Sequence, residues 1–175
     1  MRFLREDQDH EYPFTGVSHT RNIVRAIVYN DNFEIALNKV HCFDKFGERD
    51  IYETPGGGVD PHETLIEALR REIKEEVGAE IDNIQEIGRV VDYYNLIQRR
   101  NNNHFYLAHI TSMGERHYTE LEKSMNFSLV FVSIDEAIKL YENFRDLPVN
   151  NIVKQRELPI LKTAKKKLTK IQKKS

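Results

Sequence analysis

The sequence predicts an α/β fold in which a mixed β-sheet lies between layers of helix. Three observations favour this fold. Apolar, β-branched segments occur before and after one central amphipathic segment, and a second amphipathic segment follows the last of them. The 175 residues, of which 39% are hydrophobic and 31% charged, are enough for one compact domain with its own core. We therefore expect a single α/β domain.

The domain is expected to cover residues 1–160, of which residues 1–20 form an N-terminal extension. Residues 161–175 are expected to form a lysine-rich amphipathic helix or tail. The sequence has no run of about 18 apolar residues, and its first residues are too charged for a secretory signal. We accordingly expect a cytoplasmic protein without a membrane partner, in which the single Cys42 forms no internal disulfide.

The residues before the central helix predict a hairpin. Residues 22–29 and 33–40 are apolar and β-branched, and the Asn30-Asp31-Asn32 segment between them is typical of a tight turn. The polar residues 43–50 predict a loop, and residues 51–54 predict a short extended segment.

A glycine-rich loop then leads into the central helix. Four consecutive turn residues, Pro55-Gly56-Gly57-Gly58, favour neither helix nor regular strand. Asp60 is suited to cap the helix N-terminus, Pro61 to occupy its first turn, and Glu63 to complete a capping box. The helix should end at Gly78, because glycine tolerates the left-handed conformation that terminates helices.

The second half of the chain predicts two more strands, a loop, and a strand followed by two helices. The strands are residues 84–96 and 104–110, joined by a polar turn over residues 98–103; the loop is 115–126, the next strand 128–132 and the next helix 134–144. The C-terminal helix is indicated by apolar residues at steps of three and four positions, namely Leu158, Leu161, Ala164, Leu168 and Ile171.

The central helix carries three glutamates on one side. On a helical wheel Glu72, Glu75 and Glu76 fall in one arc beside an apolar stripe, and Glu76 is turned toward it. Like charges at these spacings repel one another, so a positive group should compensate them. Mg²⁺, which prefers oxygen ligands, and Arg71 are the candidates, and a solvated acidic face is the alternative.

The order of residues in this segment resembles the signature of the Nudix hydrolases. Gly57 is followed after five residues by Glu63, after seven more by Arg71-Glu72-Ile73, then by Glu75-Glu76 and by Gly78. The only departure is Ala79, which stands where the signature has a bulky aliphatic residue, and Ile81 is the candidate to supply that packing.

The resemblance implies an α/β/α sandwich and a metal-dependent pyrophosphohydrolase that uses Mg²⁺ or Mn²⁺. It implies that Glu72, Glu75 and Glu76 are catalytic metal ligands and that the Gly57 carbonyl contributes a further oxygen. Arg71 would orient one of the carboxylates. Structural support is implied for Glu63, Gly56, Gly58 and Gly78, and for Glu63 simple helix capping is an equal alternative.

The implied reaction is attack of water on a phosphorus of a diphosphate that links a nucleoside to another moiety, X. The substrate would be a phosphorylated small molecule such as a nucleoside triphosphate, a nucleotide sugar or a dinucleotide. The general base would be a carboxylate of the helix, or Glu120 or Glu122 on the later loop. Tyr94 is a candidate to stack on a base, and Arg99 and Arg100 to contact phosphates. Core packing and a solvated turn are the respective alternatives.

The last fourteen residues contain seven lysines and no acidic residue, so the rest of the chain is more acidic than the net charge of −2 indicates. An acidic domain suits a site that gathers divalent cations. The lysines permit binding to RNA or an anionic membrane, but packing of an amphipathic helix is the favoured interpretation. A non-catalytic Nudix-fold module that binds a nucleotide or RNA is the alternative function, and the sequence leaves a homodimer open.

Overall fold

The computed structural model describes residues 1–174, without the side chains of residues 121 and 122. Within this range the chain forms eight β-strands and four α-helices. The strands are β1 (Phe3–Asp7), β2 (His19–Tyr29), β3 (Glu34–Asp44), β4 (Gly47–Glu53), β5 (Gly56–Gly58), β6 (Ala79–Tyr94), β7 (Arg99–Met113) and β8 (Ser128–Ser133). The helices are α1 (Leu65–Glu76), α2 (Glu120–Ser124), α3 (Ile134–Glu142) and α4 (Pro148–Gln172).

All the strands belong to one mixed sheet, whose main path is β1-β6-β7-β2-β3-β4. The pairs β1–β6 and β2–β7 are parallel, and the other pairs are antiparallel. β8 extends the sheet beside β3, and β5 pairs with β2. The predicted mixed sheet is confirmed.

The hairpin predicted between β2 and β3 exists only at its tip. The two strands pair at Tyr29 and Ile35 and then separate, because β3 continues along β4 and β8. β5 occupies the space that opens beside β2, where Gly58 lies opposite Ile23 and Gly56 opposite Arg25. The glycine segment was predicted to be irregular, and this was wrong: strand pairing fixes its position against the centre of the sheet.

Helices cover both faces of the sheet. α1 packs on one face through Ala68, Leu69 and Ile73, which are buried together with alternate residues of β2. α3 and α4 pack on the other face, with Tyr141, Ile160 and Leu161 fully buried or nearly so. Truncating such a core leucine or isoleucine to alanine costs about 2–5 kcal/mol. The three-layer α/β architecture is therefore confirmed.

Three predicted loops contain regular structure. β3 and β4 include most of residues 43–50, and only Lys45 and Phe46 connect them. β7 includes residues 99–103, since the turn before it is a 3₁₀ segment, Asn95–Ile97, that ends at Gln98 with a left-handed φ of 52°. The loop over 115–126 contains the short helix α2.

The C-terminal helix is longer than its apolar pattern indicates. α4 begins at Pro148, where the missing amide hydrogen is not needed, and it continues through Pro159 to Gln172. Its lysine-rich end is thus part of the same helix, in which Ala164 and Leu168 are buried against the domain. None of the helices in the described part of the chain combines the length and the apolar character needed to cross a membrane.

Candidate active site

The glycine loop and α1 meet at a junction that differs from the predicted cap. Thr64 is the N-cap: its hydroxyl accepts from the Glu67 amide at 3.2 Å, and the Glu67 carboxylate accepts from the Thr64 amide at 2.8 Å. The prediction of Asp60 and Glu63 as the capping pair was wrong. His62 has a left-handed φ of 71°, which interrupts any right-handed helix starting at Pro61. The helix end at Gly78, with a φ of +74°, is as predicted.

Gly57 brings the loop backbone against the Glu72 carboxylate. A Cβ atom added to Gly57 would lie 2.5 Å from both carboxylate oxygens of Glu72, so a larger residue would displace this carboxylate. Glycine therefore lets the loop approach the Glu72 carboxylate this closely. The contact places a backbone segment and a carboxylate from two elements within reach of one small ligand.

Arg71 ties the loop to the helix by binding several oxygens. Its Nε and Nη2 each donate to the Glu63 carboxylate at 2.9 Å, and Nη2 also donates to the Gly58 carbonyl at 2.9 Å. Nη1 donates to Glu72 at 2.7 Å and lies 3.5 Å from Glu75. The hydrogen bonds that Arg71 donates to Glu63 lower the pKa of Glu63 and raise the pKa of Arg71. Glu63 thus positions the Arg71 side chain and does not cap α1.

The three helix glutamates differ in their surroundings. Glu76 is 4% exposed, and its Oε2 accepts from Asn38 Nδ2 at 2.7 Å and from the Gly56 amide at 2.9 Å. Glu72 is also buried, whereas 37% of the Glu75 side chain is exposed. Two carboxylates are therefore held by the protein, while the third is accessible from solvent.

Asn38 is a site residue that the sequence reasoning missed. It is a buried amide in the apolar strand β3, and its Oδ1 has no hydrogen-bond partner. A polar residue at an inward position of an apolar strand was the signal that could have identified it, because a buried amide needs a polar partner. That partner is the Glu76 carboxylate of α1.

The donor set suits a hard divalent cation. Three carboxylates and a backbone carbonyl at the loop are oxygen ligands of the kind that Mg²⁺ and Mn²⁺ prefer. Among residues 1–174, however, no three His, Cys, Asp or Glu side chains are gathered around one point as a metal cluster. Arg71 contacts Glu72 and Glu75 instead, so the identity of the ligands stays a prediction.

A buried ionic network supports the strand that leads into the loop. The Thr54 amide donates to Glu157 at 2.9 Å, and the Thr54 carbonyl accepts from Arg25 at 3.2 Å. Glu157 also accepts from Arg156 at 2.6 Å and from the Tyr141 hydroxyl at 2.6 Å. The missed sequence signal was the pair of charges at positions 156 and 157, which lie three or four positions from the apolar residues Ile152, Val153, Ile160 and Leu161 and hence on the apolar side of the helix.

The candidate general bases on the later loop lie beyond its contact with α1. The loop approaches α1 where the His117 amide donates to the Glu75 carbonyl at 2.9 Å. Glu120 follows in α2, is exposed, and pairs with Lys123 at 2.6 Å. The Glu122 side chain lies outside the described residues. No contact joins Glu120 to the helix glutamates among the contacts of the described part of the chain, so the base stays unassigned.

The sheet separates Arg100 from Tyr94 and Arg99. Tyr94 is buried, its ring lies edge-on to Phe46 with centroids 5.8 Å apart, and the Arg99 guanidinium lies 5.0 Å over the ring. Arg100 points to the opposite face, where it donates to Asn102 at 3.1 Å. Only Arg99 lies on the same face as Tyr94.

The chain also matches a model of a known protein family. The model of the NUDIX domain matches residues 19–149, which include the glycine loop, α1 and most of the sheet. The chain belongs to the Nudix family. A comparison of its sequence with curated proteins gave no match.

Solved structures of Nudix hydrolases share the fold. The MutT NUDIX hydrolase of Burkholderia pseudomallei is 22% identical, with a TM-score of 0.54 over 67% of this chain and 86% of that one. The NUDIX hydrolase of Nitrosomonas europaea is 19% identical, with a TM-score of 0.58 over 73% and 81%. A structure described as an ADP compounds hydrolase is 16% identical, with a TM-score of 0.62 over 89% and 75%. The predicted Nudix architecture is confirmed.

Proposed function

We propose that this Nudix protein is a metal-dependent pyrophosphohydrolase that cleaves the diphosphate between a nucleoside and a moiety X. The observation that carries the proposal is the contact between Gly57 and the Glu72 carboxylate. It joins the glycine loop to the helix that also carries Glu75 and Glu76 about one turn further on. Such an arrangement of oxygen donors serves a hard cation and a phosphorylated substrate better than it serves protein stability, since like charges are brought together.

Glu72, Glu75, Glu76 and the Gly57 carbonyl would hold Mg²⁺ or Mn²⁺. A bound divalent ion supplies positive charge to phosphate oxygens and lowers the pKa of an attacking water. The chain's own contribution is orientation. Asn38 and the Gly56 amide hold the Glu76 carboxylate by two hydrogen bonds.

Arg71 has a positioning role in this proposal. By donating to Glu63, Gly58 and Glu72 it fixes the loop against the helix, and Glu75 remains partly exposed on the side from which solvent and substrate arrive. A carboxylate of the helix, Glu120 or Glu122 would accept the proton of the attacking water.

The family and the name of one similar structure support a substrate class. We infer a nucleotide in which the leaving group is a phosphorylated fragment, as in nucleoside triphosphates, nucleotide sugars and dinucleotides. One similar structure is named an ADP compounds hydrolase, so compounds of ADP belong in the test.

The test is a substrate panel with identification of products. Nucleoside triphosphates, nucleotide sugars and dinucleotides are incubated with the protein and Mg²⁺ or Mn²⁺, with a chelator as the control, and the products are separated by chromatography. We expect release of a nucleoside monophosphate with the metal and none with the chelator. A folded protein inert toward the whole panel with both metals would contradict hydrolysis and favour a non-catalytic binding module.

A further inference from the structure

Two arginines, one of them beside the glycine loop, lie on the sheet face that α4 partly covers. In the parallel pair of β2 and β7, His19 lies opposite Arg99 and Arg21 opposite Asn101. Arg21 and Arg99 therefore point to the same face, two residues apart along the ladder. The Arg21 guanidinium lies so close to Gly58 that a Cβ atom there would collide with its Nη2. Arg21 is thus adjacent to the glycine loop, and Arg99 lies farther from it along the ladder.

Two acidic residues on this face, Asp92 and Glu157, already bind other arginines. Asp92 accepts from Arg156 at 3.0 Å, and Glu157 accepts from Arg156 at 2.6 Å and lies 3.5 Å from Arg25. Within residues 1–174, neither Arg21 nor Arg99 takes part in an ion pair. This end of the face therefore carries two positive charges without a carboxylate to balance them.

One hydrogen-bond donor of Arg99 is buried without an acceptor in the described part of the chain. This donor is its Nε, and its guanidinium lies over the ring of Tyr94, whose hydroxyl accepts from Arg156 at 3.2 Å. Burial, and then the neighbouring Arg21, lower the pKa of Arg99. An unsatisfied charged donor is costly, and an anion between the two arginines would satisfy it.

We propose that Arg21 and Arg99 form a phosphate subsite for the X moiety of the substrate. A phosphate monoester carries close to two negative charges and several acceptor oxygens, which two guanidiniums match. A Cβ atom on Gly57 would point at Glu72, and one on the next residue, Gly58, would point at Arg21, so a phosphate held by the arginines lies across the loop from a diphosphate bound at Glu72. The proposal, which rests on the proposed function, deepens it: the preferred X carries a phosphate beyond the scissile diphosphate.

Binding of an inorganic probe tests the subsite independently of catalysis. Tripolyphosphate is titrated calorimetrically into the full-length protein without metal, and Arg99→Gln and Arg21→Gln are compared with wild type. We expect each variant to bind about tenfold more weakly or worse, since a charge-assisted hydrogen bond is lost. Arg2→Gln, the same charge change at an exposed arginine beside the edge strand β1, is the matched control and should bind like wild type.

Two results would overturn the subsite. One is equal loss of tripolyphosphate binding in the Arg2 control, which would indicate unspecific attraction. The other is unchanged binding in both test variants. Arg21 is exposed, so Arg21→Gln keeps the test valid if Arg99→Gln does not fold.

Steady-state kinetics test which phosphate of the substrate binds to the arginines. They also test the subsite separately from hydrolysis itself. For Arg99→Gln we expect kcat/KM to fall about tenfold or more on a nucleoside triphosphate and a dinucleoside polyphosphate, and to stay constant on a nucleotide sugar with a neutral sugar. If kcat/KM falls for only the nucleoside triphosphate or only the dinucleoside polyphosphate, that substrate identifies the phosphate that the arginines bind. Equal falls on all substrates would contradict the subsite. A wild type inactive on all would refute hydrolysis, while tripolyphosphate binding would still decide the subsite.

Discussion

At the scale of single residues, Arg71 is the centre of the candidate site. Its guanidinium serves Glu63, the Gly58 carbonyl and Glu72 at once, which only a planar fork with several donors can do. The sequence predicted that Arg71 binds a carboxylate of α1, but not that it also binds Glu63 and the Gly58 carbonyl. Glu63 lies eight residues from Arg71, and only the turn at residues 60–63 brings the two side chains together.

Replacing Arg71 with lysine should therefore impair catalysis while keeping the charge. Lysine cannot make the two parallel bonds to Glu63 and also reach the Gly58 carbonyl. We expect kcat/KM to fall about 10–100-fold, as is typical when a partner that orients a metal ligand is lost. Arg70→Lys, which changes a neighbour that donates to the Ile81 carbonyl, is the control. Wild-type kinetics for Arg71→Lys would show that its fork is dispensable.

His104 gives stability a pH dependence that one substitution should remove. Burial, Arg89 and the amino terminus lower its pKa, opposed by Glu86, and its Nδ1 has no hydrogen-bond partner among the described residues. A lowered pKa means that the folded state disfavours the proton. Stability from this group is fully present above the ordinary histidine pKa of about 6.5 and is lost as pH falls through the lowered value.

Urea unfolding at a series of pH values from 7.5 to about 5 measures this effect. We expect the free energy of unfolding to decrease less on acidification in His104→Gln than in wild type. Parallel curves for the two proteins would show that His104 does not contribute.

At the scale of elements, the sequence patterns predicted whether a segment is helix or strand better than they predicted its first and last residues. The periodicity of α1 and the glycine at its end were sufficient to predict this helix and where it ends, because a helix and its C-cap are determined by nearby residues. The start of β7 was missed, because Asn101 and Asn103 look like turn residues. They are buried in a strand only because Asp92 of the neighbouring strand accepts from both, at 2.8 and 3.0 Å. Such cross-strand pairing is not visible in a local pattern.

The true start of α1 can be tested by two alanine substitutions. Thr64→Ala removes the acceptor for the Glu67 amide, and we expect a loss of about 0.5–2 kcal/mol of unfolding free energy. Asp60→Ala, at the position that the sequence favoured, removes only an exposed carboxylate 3.8 Å from Arg71 and should cost less. Denaturant unfolding of both variants decides between them, and a larger loss for Asp60→Ala would contradict the observed cap.

At the scale of the whole molecule, the buried network joins three regions that are distant in sequence. Glu157 of α4 binds Thr54 before the glycine loop, Arg25 of β2 and Tyr141 of α3. The C-terminal helix therefore helps to hold the loop on the far side of the sheet. The sequence predicted the sandwich and the amphipathic helix, but the network depends on contacts more than 100 residues apart, such as that of Thr54 with Glu157.

Glu157→Gln should destabilise the fold strongly. The substitution keeps the shape of the side chain but leaves Arg156 and Arg25 without their shared carboxylate in a buried position. Breaking a buried pair in this way costs about 3–5 kcal/mol. Glu142→Gln, which disrupts an exposed pair with Lys162, is the control and should cost at most about 1 kcal/mol. Equal unfolding free energies for the two variants would refute the role of the network.

The most direct test of metal-dependent hydrolysis by the glutamates of α1 is the activity of Glu75→Gln. It is measured on the best substrate of the panel with Mg²⁺ or Mn²⁺. Glu75 is the accessible glutamate, and glutamine removes its charge with little change in volume. Because loss of an orienting partner alone costs about 10–100-fold, we expect a fall in kcat of about 100-fold or more. Glu80→Gln, an exposed glutamate paired with Lys74, should retain wild-type activity, and both variants should unfold like wild type. Glu75→Gln with kcat within a few-fold of wild type would contradict hydrolysis by the carboxylates of this helix.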